Sequence, residues 1–385
     1  MTSHDEQPPE DPKAPLSKLG PNATALCLSG GGYRAMLFHV GTLWRLNESG
    51  MLPKLDLISS VSGGSITAGC LAKNWNDLAF DRDGVATLFK QKLVEPIRKV
   101  ARTTIDIWAV LGGLLLPKVT VGDRVAANYR KLLFGGATLQ DLPDAPAPIF
   151  VINATNVQSG ALWRFSKHDM RDYRVGQVCR PTVPLARAVA ASSAFPPFLS
   201  PLILDLDPAS FTPKSGDDLQ VEPYTSRVVL CDGGVYDNLG LETAWKRCKT
   251  ILVSDAGAKM APDPSPKGDW FNQLWRVFYI EDDQVRNLRK RDLMSAYTSK
   301  PPRLGGTYWG IRTDITEYPV TDPFNCPLAR TTELAAVPTR LAYLDARTQE
   351  RLINWGYAVC DAALRSYVDN SLVKPQFMPY PQTGV

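Results

Sequence analysis

The sequence predicts an α/β fold built on a parallel sheet, and three local patterns predict it. Ala23 to Leu28 is a short apolar, strand-like run that feeds Ser29-Gly30-Gly31-Gly32 and then a stretch with helical apolar spacing. Leu55 to Val61 is a second such run, and it turns through Ser62-Gly63-Gly64 into small residues that can start a helix. Arg227 to Cys231 is a third, and it runs into Asp232-Gly233-Gly234. Strands that alternate with helices across tight turns are the pattern of an α/β sheet.

In chain order, Met1 to Asn22 is polar and proline-rich and reads as a disordered tail rather than a signal peptide. Tyr33 to Glu48 carries Met36, Leu37, Val40, Leu43 and Trp44 at helical spacing, and Gly50 stops it. Ser65 to Lys73 is the helix after the second strand. Asn76 to Asp144 reads as a mostly helical insert, in which Pro96 is expected to end or kink the amphipathic run Ala86 to Glu95. Ile149 to Thr155 is a strand that Leu162 to Phe165 is placed to pair with, and Leu185 to Ala194 is an alanine-rich helix broken by Pro196-Pro197. Asp205 to Ser226 looks like an insertion or β excursion. Thr250 to Ser254 is a further strand, and Trp270 to Arg289 and Leu344 to Tyr367 read as helices joined by a loop-rich middle.

Composition removes several function classes. The 385 residues contain 44% hydrophobic and 21% charged residues, enough apolar material for a sizeable core. The net charge of +4 is spread along the chain and does not argue for nucleic acid. Seven cysteines form no C-x-x-C pair, so neither a zinc site nor a disulfide framework is indicated; most read as small buried residues of a reducing, cytoplasmic compartment. No ligand cluster for a metal is visible, and the Glu281-Asp282-Asp283 run is explained by a solvated helix face. The longest apolar run, Ile105 to Leu116, is too short to span a bilayer; it reads as buried core or as a lid or membrane-docking element.

The chemistry gathers at the three turns. A serine at the apex of a strand-to-helix turn has the layout of a nucleophile elbow, which demands small neighbours. Gly64 meets that demand, and Ser60 stands where glycine is usual. Gly30, Gly31 and Gly32 lie where backbone N–H groups and a helix dipole can hold a phosphate or an oxyanion. Gly30, Gly32 and Ala35 also satisfy G-x-G-x-x-A, but the end of the second strand, where a dinucleotide fold wants an acid, carries the serine elbow. Only His4, His39 and His168 are present, and none follows Asp232. His168 could serve only with an earlier acid or in another order, so a base for Ser62 is sought first among carboxylates, and Asp232, at a strand's carboxyl end before two glycines, is the best placed, with His168 next. Each turn also has a plain reading as a loop.

Together, SGGGYRA at 29–35, SVSGG at 60–64 and DGG at 232–234 resemble the patatin-like phospholipases, and the first also resembles the cytosolic group IV phospholipases A2. AVAASSAFPP at 188–197 is similar to that family's alanine-rich block. The resemblance covers roughly Ala23 to Gly257. It implies a three-layer α/β/α fold with a central mostly parallel sheet, a helical insert and a helical C-terminal region. It implies a Ser62–Asp232 dyad, an oxyanion hole at Gly30, Gly31 and Gly32, and support from Arg34, Gly64, Gly233 and Gly234, with Arg34 fixing the loop or meeting a phosphate. Its substrate would be a phospholipid or other acyl-ester lipid at a membrane surface, without metal or cofactor. The domains expected are a tail at 1–22, a catalytic domain at 23–260 with an insert at about 76–144, and a mainly helical extension at 261–385 packed on the core. The alternatives are a patatin-fold protein that binds lipid or a regulator without turnover, and a dinucleotide-binding oxidoreductase, which the serine elbow disfavours.

Overall fold

A computed structural model describes residues 16, 19–105 and 120–385. Ten strands form one mixed sheet: β1 (Thr24–Leu28), β2 (Leu57–Val61), β3 (Ile149–Asn156), β4 (Leu162–Phe165), β5 (Asp169–Asp172), β6 (Gly176–Cys179), β7 (Leu202–Asp205), β8 (Arg227–Asp232), β9 (Thr250–Asp255) and β10 (Gly305–Gly310). The order is β10-β9-β1-β2-β3-β4-β5-β6, with β8 also paired to β3 and β7 to β8. The first five strands in that order are parallel; β4, β5, β6, β7 and β8 make antiparallel pairs.

The helices are α1 (Gly32–Glu48), α2 (Gly63–Lys73), α3 (Glu95–Ala101), α4 (Val121–Tyr129), α5 (Leu185–Ser192), α6 (Gly234–Asp237), α7 (Glu242–Trp245), α8 (Trp270–Thr298), α9 (Leu328–Ala335) and α10 (Ala346–Tyr367). They cover both faces of the sheet. Side chains alternate along a strand, and β1 shows the consequence. Leu26 and Leu28 join the large core with residues of α1, α2 and α10, whereas Ala25 and Cys27 join a smaller one with Ala244 of α7 and Leu293 of α8. The central strands are buried on both faces, which is why they read as short, nearly continuous apolar runs.

Several expectations are modified by packing. Pro96 does not end its helix. The helical course runs on through a wide π-type turn at Lys90–Val94 into α3, near whose start Pro96 lies, and that widened turn is where the proline is accommodated. The region between the two long C-terminal helices contains β10, which pairs with β9 and so joins the central sheet. Glu281 is exposed on α8, but Asp282 and Asp283 are half-buried, so the acid run is not a uniformly solvated face. Of the Ile105 to Leu116 run, Ile105 is buried and 106–116 lie outside the described residues. Six cysteines are buried and Cys179 is exposed, all of them free thiols. No helix among the described residues is long and apolar enough to cross a membrane.

α1 and α10 cross with their backbones in contact. A Cβ on Gly41 would lie 1.9 Å from the carbonyl oxygen of Ile353, and one on Gly356 would lie 1.9 Å from that of Phe38. Neither obstacle is a side chain that can rotate away. Gly356→Ala is therefore expected to cost about 3 kcal/mol or more, at the upper end for overpacking. Gly136→Ala, which meets nothing within 4 Å, should leave the melting temperature within a degree or two. Thermal melting of the two variants side by side checks this.

Candidate active site

Strands β2 and β8 share one edge of β3, end to end. Val61 at the end of β2 is level with Asn153, and Asp232 at the end of β8 is level with the next residue, Ala154. β2 runs up that edge and β8 runs down it, so Ser62, one step beyond β2, meets Asp232. Asp232 thus reaches the carboxyl edge of the parallel strands on an antiparallel strand, a correction to its expected place in a parallel sheet. β8 can take this course because β2 leaves the edge of β3 at the elbow.

Ser62 adopts φ 50° and ψ −118° at the N-cap of α2, a left-handed geometry that costs a non-glycine residue about 1–3 kcal/mol. The strain is held from beneath. The Ser62 N–H donates to Ser192 Oγ at 2.9 Å, and Ser192 Oγ donates to the Asn153 carbonyl at 2.6 Å. Ser65 Oγ lies 2.9 Å from Ser192 Oγ and donates to Ser60 Oγ at 3.0 Å, and Ser60 in turn donates to the Val151 carbonyl at 3.2 Å. Ser60 is fully buried. Its departure from glycine gives the elbow one more hydrogen-bonding anchor.

The glycine loop abuts this turn. A Cβ on Gly63 would lie 2.2 Å from the Gly32 carbonyl oxygen, and one on Gly64 would lie 2.5 Å from that of Leu28, so elbow and loop touch backbone to backbone. Gly31 and Gly32 have φ of 143° and 57° at the start of α1. The Gly30 N–H donates to the Asn238 carbonyl at 3.0 Å. The N–H groups of Gly31 and Gly32 donate to no described residue, which leaves these two as the loop's available donors.

Asp232 is buried and tethered. Its N–H donates to the Ala194 carbonyl at 2.9 Å, its carbonyl accepts from Thr155 Oγ1 at 2.9 Å, and its Oδ1 accepts the Gly234 N–H at 2.7 Å. The Gly233 N–H donates to the Ser192 carbonyl at 3.3 Å. Burial raises the carboxyl pKa to about 7, against the lowering pull of the Gly234 N–H and of the nearby Ser62 hydroxyl; Asp282 on α8 adds a smaller upward push. The Asp282 carboxyl is itself pushed up by burial, with Arg286 opposing.

The other candidates fall elsewhere. Arg34 is buried, and its guanidinium donates to the carbonyls of Ala335 and Val337 at 2.8 Å and of Ala256 at 2.8 Å. Burial, then the neighbouring Arg312, lowers its pKa to about 10. With its donors directed at carbonyls, Arg34 braces the loop rather than meeting a phosphate. His39 is buried between the Ser29 carbonyl and Ser254 Oγ, each at 2.9 Å, and burial lowers its pKa to about 4, so a neutral ring bridges the two. His168 lies in the β4–β5 turn. Phe165, at the end of β4, is level with Ile152 and the chain is heading toward the start of β3, away from Ser62. Ser192, Asn153 and Asn238 were not legible as site residues. Ser192 lies within the alanine-rich block, but nothing local marks the others.

One flank of the site is apolar. Phe195 and Phe198, which follow the residue that anchors Asp232, pack edge-on against Trp275 of α8, and Trp275 stacks on Phe278. Trp270 and Leu274 on the same helix are 77% and 61% exposed.

The family model described as patatin-like phospholipase matches residues 26–245. The chain belongs to the patatin-like phospholipase family. Among curated proteins it is similar to "Lysophospholipase NTE1" of Candida glabrata, 26% identical over 262 residues, covering 67% of this chain and 12% of that protein. It is also similar to the protein of the same name from Lodderomyces elongisporus, 23% identical over 326 residues, covering 79% of this chain and 18% of that one. The chain thus spans less than a fifth of the length of these relatives. Among solved structures, human GIVD cytosolic phospholipase A2 superposes with a TM-score of 0.52 at 14% identity, covering 90% of this chain and 60% of that one. At that identity the likeness concerns the fold alone.

The raised Asp232 pKa makes stability depend on pH. Between the ordinary carboxyl value of 3.8 and about 7, the folded chain keeps a proton that the unfolded chain has released. Stability therefore falls as pH rises through that window and is level above it. Asp232→Asn removes the cost of burying the charge. It is expected to melt higher than the parent protein at pH 8, by a few kcal/mol at about 1.4 kcal/mol for each pH unit crossed. The gap should close toward pH 4, and melting curves at the two pH values check the sign.

Proposed function

We propose that this protein hydrolyses the acyl ester of a phospholipid or lysophospholipid through an acyl-enzyme on Ser62, with Asp232 as the base. The observation that carries the reading is Ser62 on a strained turn that strand register sets next to a buried carboxyl, beside two N–H groups with no partner among the described residues. As Ser62 Oγ attacks the ester carbonyl carbon, its proton passes to Asp232. The Gly31 and Gly32 N–H groups receive the developing oxyanion, each such donor being worth about 3 kcal/mol in a dry site. The intermediate collapses, the leaving oxygen takes the proton from Asp232, and the acyl group stays on Ser62. Water then repeats the sequence and releases the fatty acid. A carboxylate of ordinary pKa is a weak base; one raised to about 7 is better matched to the task.

Lipid as substrate class draws on the family and on the apolar flank. An acyl chain leaving an aggregate needs apolar surface beside the nucleophile, and Phe195, Phe198 and the first turns of α8 supply it. Tryptophan and leucine at these exposures suit the interface of a lipid aggregate. We therefore assign membrane contact to α8; of the run read as core or as a lid or docking element, 106–116 lie outside the described residues.

A fluorophosphonate probe tests the nucleophile, since it phosphonylates an activated serine. Labelling is expected on Ser62 and is expected to vanish in Ser62→Ala, with hydrolysis of p-nitrophenyl butyrate down by at least about a thousandfold and circular dichroism unchanged. Asp232→Ala should lose a similar factor, and the double variant scarcely more, because the two act as one unit. In the parent protein kcat/KM should rise with pH through about 7 as Asp232 ionises. Lipid binding without labelling would instead mark a non-catalytic lipid-binding protein.

Trp270→Ser combined with Leu274→Ser tests the apolar flank. Turnover of phosphatidylcholine vesicles should fall by about fivefold or more, as burying two such side chains is worth a few kcal/mol. Hydrolysis of p-nitrophenyl butyrate and the melting temperature should hold. Equal loss of both activities would remove α8 from the lipid encounter.

A further inference from the structure

Asn238 holds a place in the site that the dyad leaves without a task. Three glycines from three segments make room for its side chain. A Cβ on Gly30 would lie 2.3 Å from Asn238 Oδ1 and 3.2 Å from Ser62 Cβ. A Cβ on Gly234 would lie 2.6 Å from the same oxygen and 3.0 Å from Asp232 Oδ1, and one on Gly257 would lie 2.9 Å from Asn238 Nδ2. The amide oxygen therefore sits beside both reacting groups. The main chain of Asn238 is fixed, because its carbonyl accepts the Gly30 N–H. Its half-buried side chain makes no hydrogen bond to a described residue. Its amide atoms are not sealed from solvent, so a water that arrives during the reaction can reach Oδ1.

We propose that Asn238 orients the water that hydrolyses the acyl-enzyme. The proposal rests on the dyad reading. Attack uses one lone pair of the water oxygen, and holding both water protons on acceptors aims that lone pair at the acyl carbon. Asp232 accepts one proton and removes it; Asn238 Oδ1 accepts a hydrogen bond from the other. The water oxygen bonds to the acyl carbon, the C–Oγ bond of Ser62 breaks, and Asp232 returns its proton to Oγ. The second water proton departs on the carboxylic acid. Acylation makes no such demand, because the serine hydroxyl has one proton and Asp232 takes it. Asn238 belongs to the second half of the cycle.

Burst kinetics with p-nitrophenyl butyrate on the full chain test this. Asn238→Ala is expected to release p-nitrophenol in a burst within about threefold of the parent rate, then to turn over at least about tenfold more slowly. Intact-mass measurement should show butyryl-enzyme accumulating. Asn238→Asp keeps an acceptor oxygen and should recover steady-state turnover at pH 9. If Asn238→Ala does not melt cooperatively, Asn238→Ser replaces it with the same expected accumulation. Equal loss in burst and steady state, or no accumulation of butyryl-enzyme, would overturn the role. Failure of the fluorophosphonate to label Ser62 in the parent protein is a separate result, and would overturn the dyad instead.

Discussion

The meeting of β2 and β8 along one edge of β3 is the constraint on which the site depends. Backbone pairing with consecutive residues of β3 sets where each strand stops. The distance between serine and carboxyl is thus fixed by main-chain register rather than by flexible side chains. A slip of one residue in either strand would turn its terminal side chain to the other face. Burial on both faces forbids that slip, and the layers of helix that bury the sheet serve the site in this way. Asn153 stands at the junction. Its carbonyl receives Ser192, and its side-chain amide donates to Ser59 Oγ and the Ser60 carbonyl while accepting from Thr243 Oγ1.

Stability and reactivity are opposed at Asp232. Withdrawing a carboxyl from water raises its proton affinity, which weakens the fold as pH rises toward about 7 and, in the proposed dyad, makes a stronger base by the same physical cause. The other buried ionisable groups nearby are treated differently. His39 stays neutral, and the Arg34 charge is surrounded by carbonyl oxygens. His39 and Arg34, which brace the loop and its helix, therefore keep their charge state while Asp232 titrates.

What was legible in the sequence was local. A strand, a glycine turn and a helix follow each other within a dozen residues, so the loop at 30–32, the elbow at Ser62 and the Asp232 turn could each be read from neighbours in the chain. The direction of β8 could not, because parallel and antiparallel strands with one buried face carry similar patterns and the choice is made by a partner some 75 residues away. Ser192 and Asn238 were hidden for the same reason. Their tasks are defined by what they touch, and they touch segments remote in sequence. β10 does not stand out in the sequence because Gly305-Gly306-Thr307 lacks strand propensity; the open edge of β9 supplies what propensity does not. Asp282 reads as a solvated acid because a helical face can be read from spacing, whereas the surface packed against it cannot.

The family match ends at residue 245, yet the structure that holds the site does not. β9 and β10 extend the sheet beyond that point. The two carbonyls that neutralise the Arg34 guanidinium on one side come from Ala335 and Val337. The Tyr33 N–H, one residue past the loop, donates to the Arg340 carbonyl at 3.0 Å. A loop whose N–H groups are to stabilise charge must be held before the charge develops, since donors that must first reorient lose their advantage over water. The region after 245 therefore holds the glycine loop in place, which the proposed chemistry requires. α10, locked to α1 at the Gly41–Gly356 crossing, carries that support to the helix on which the loop is mounted.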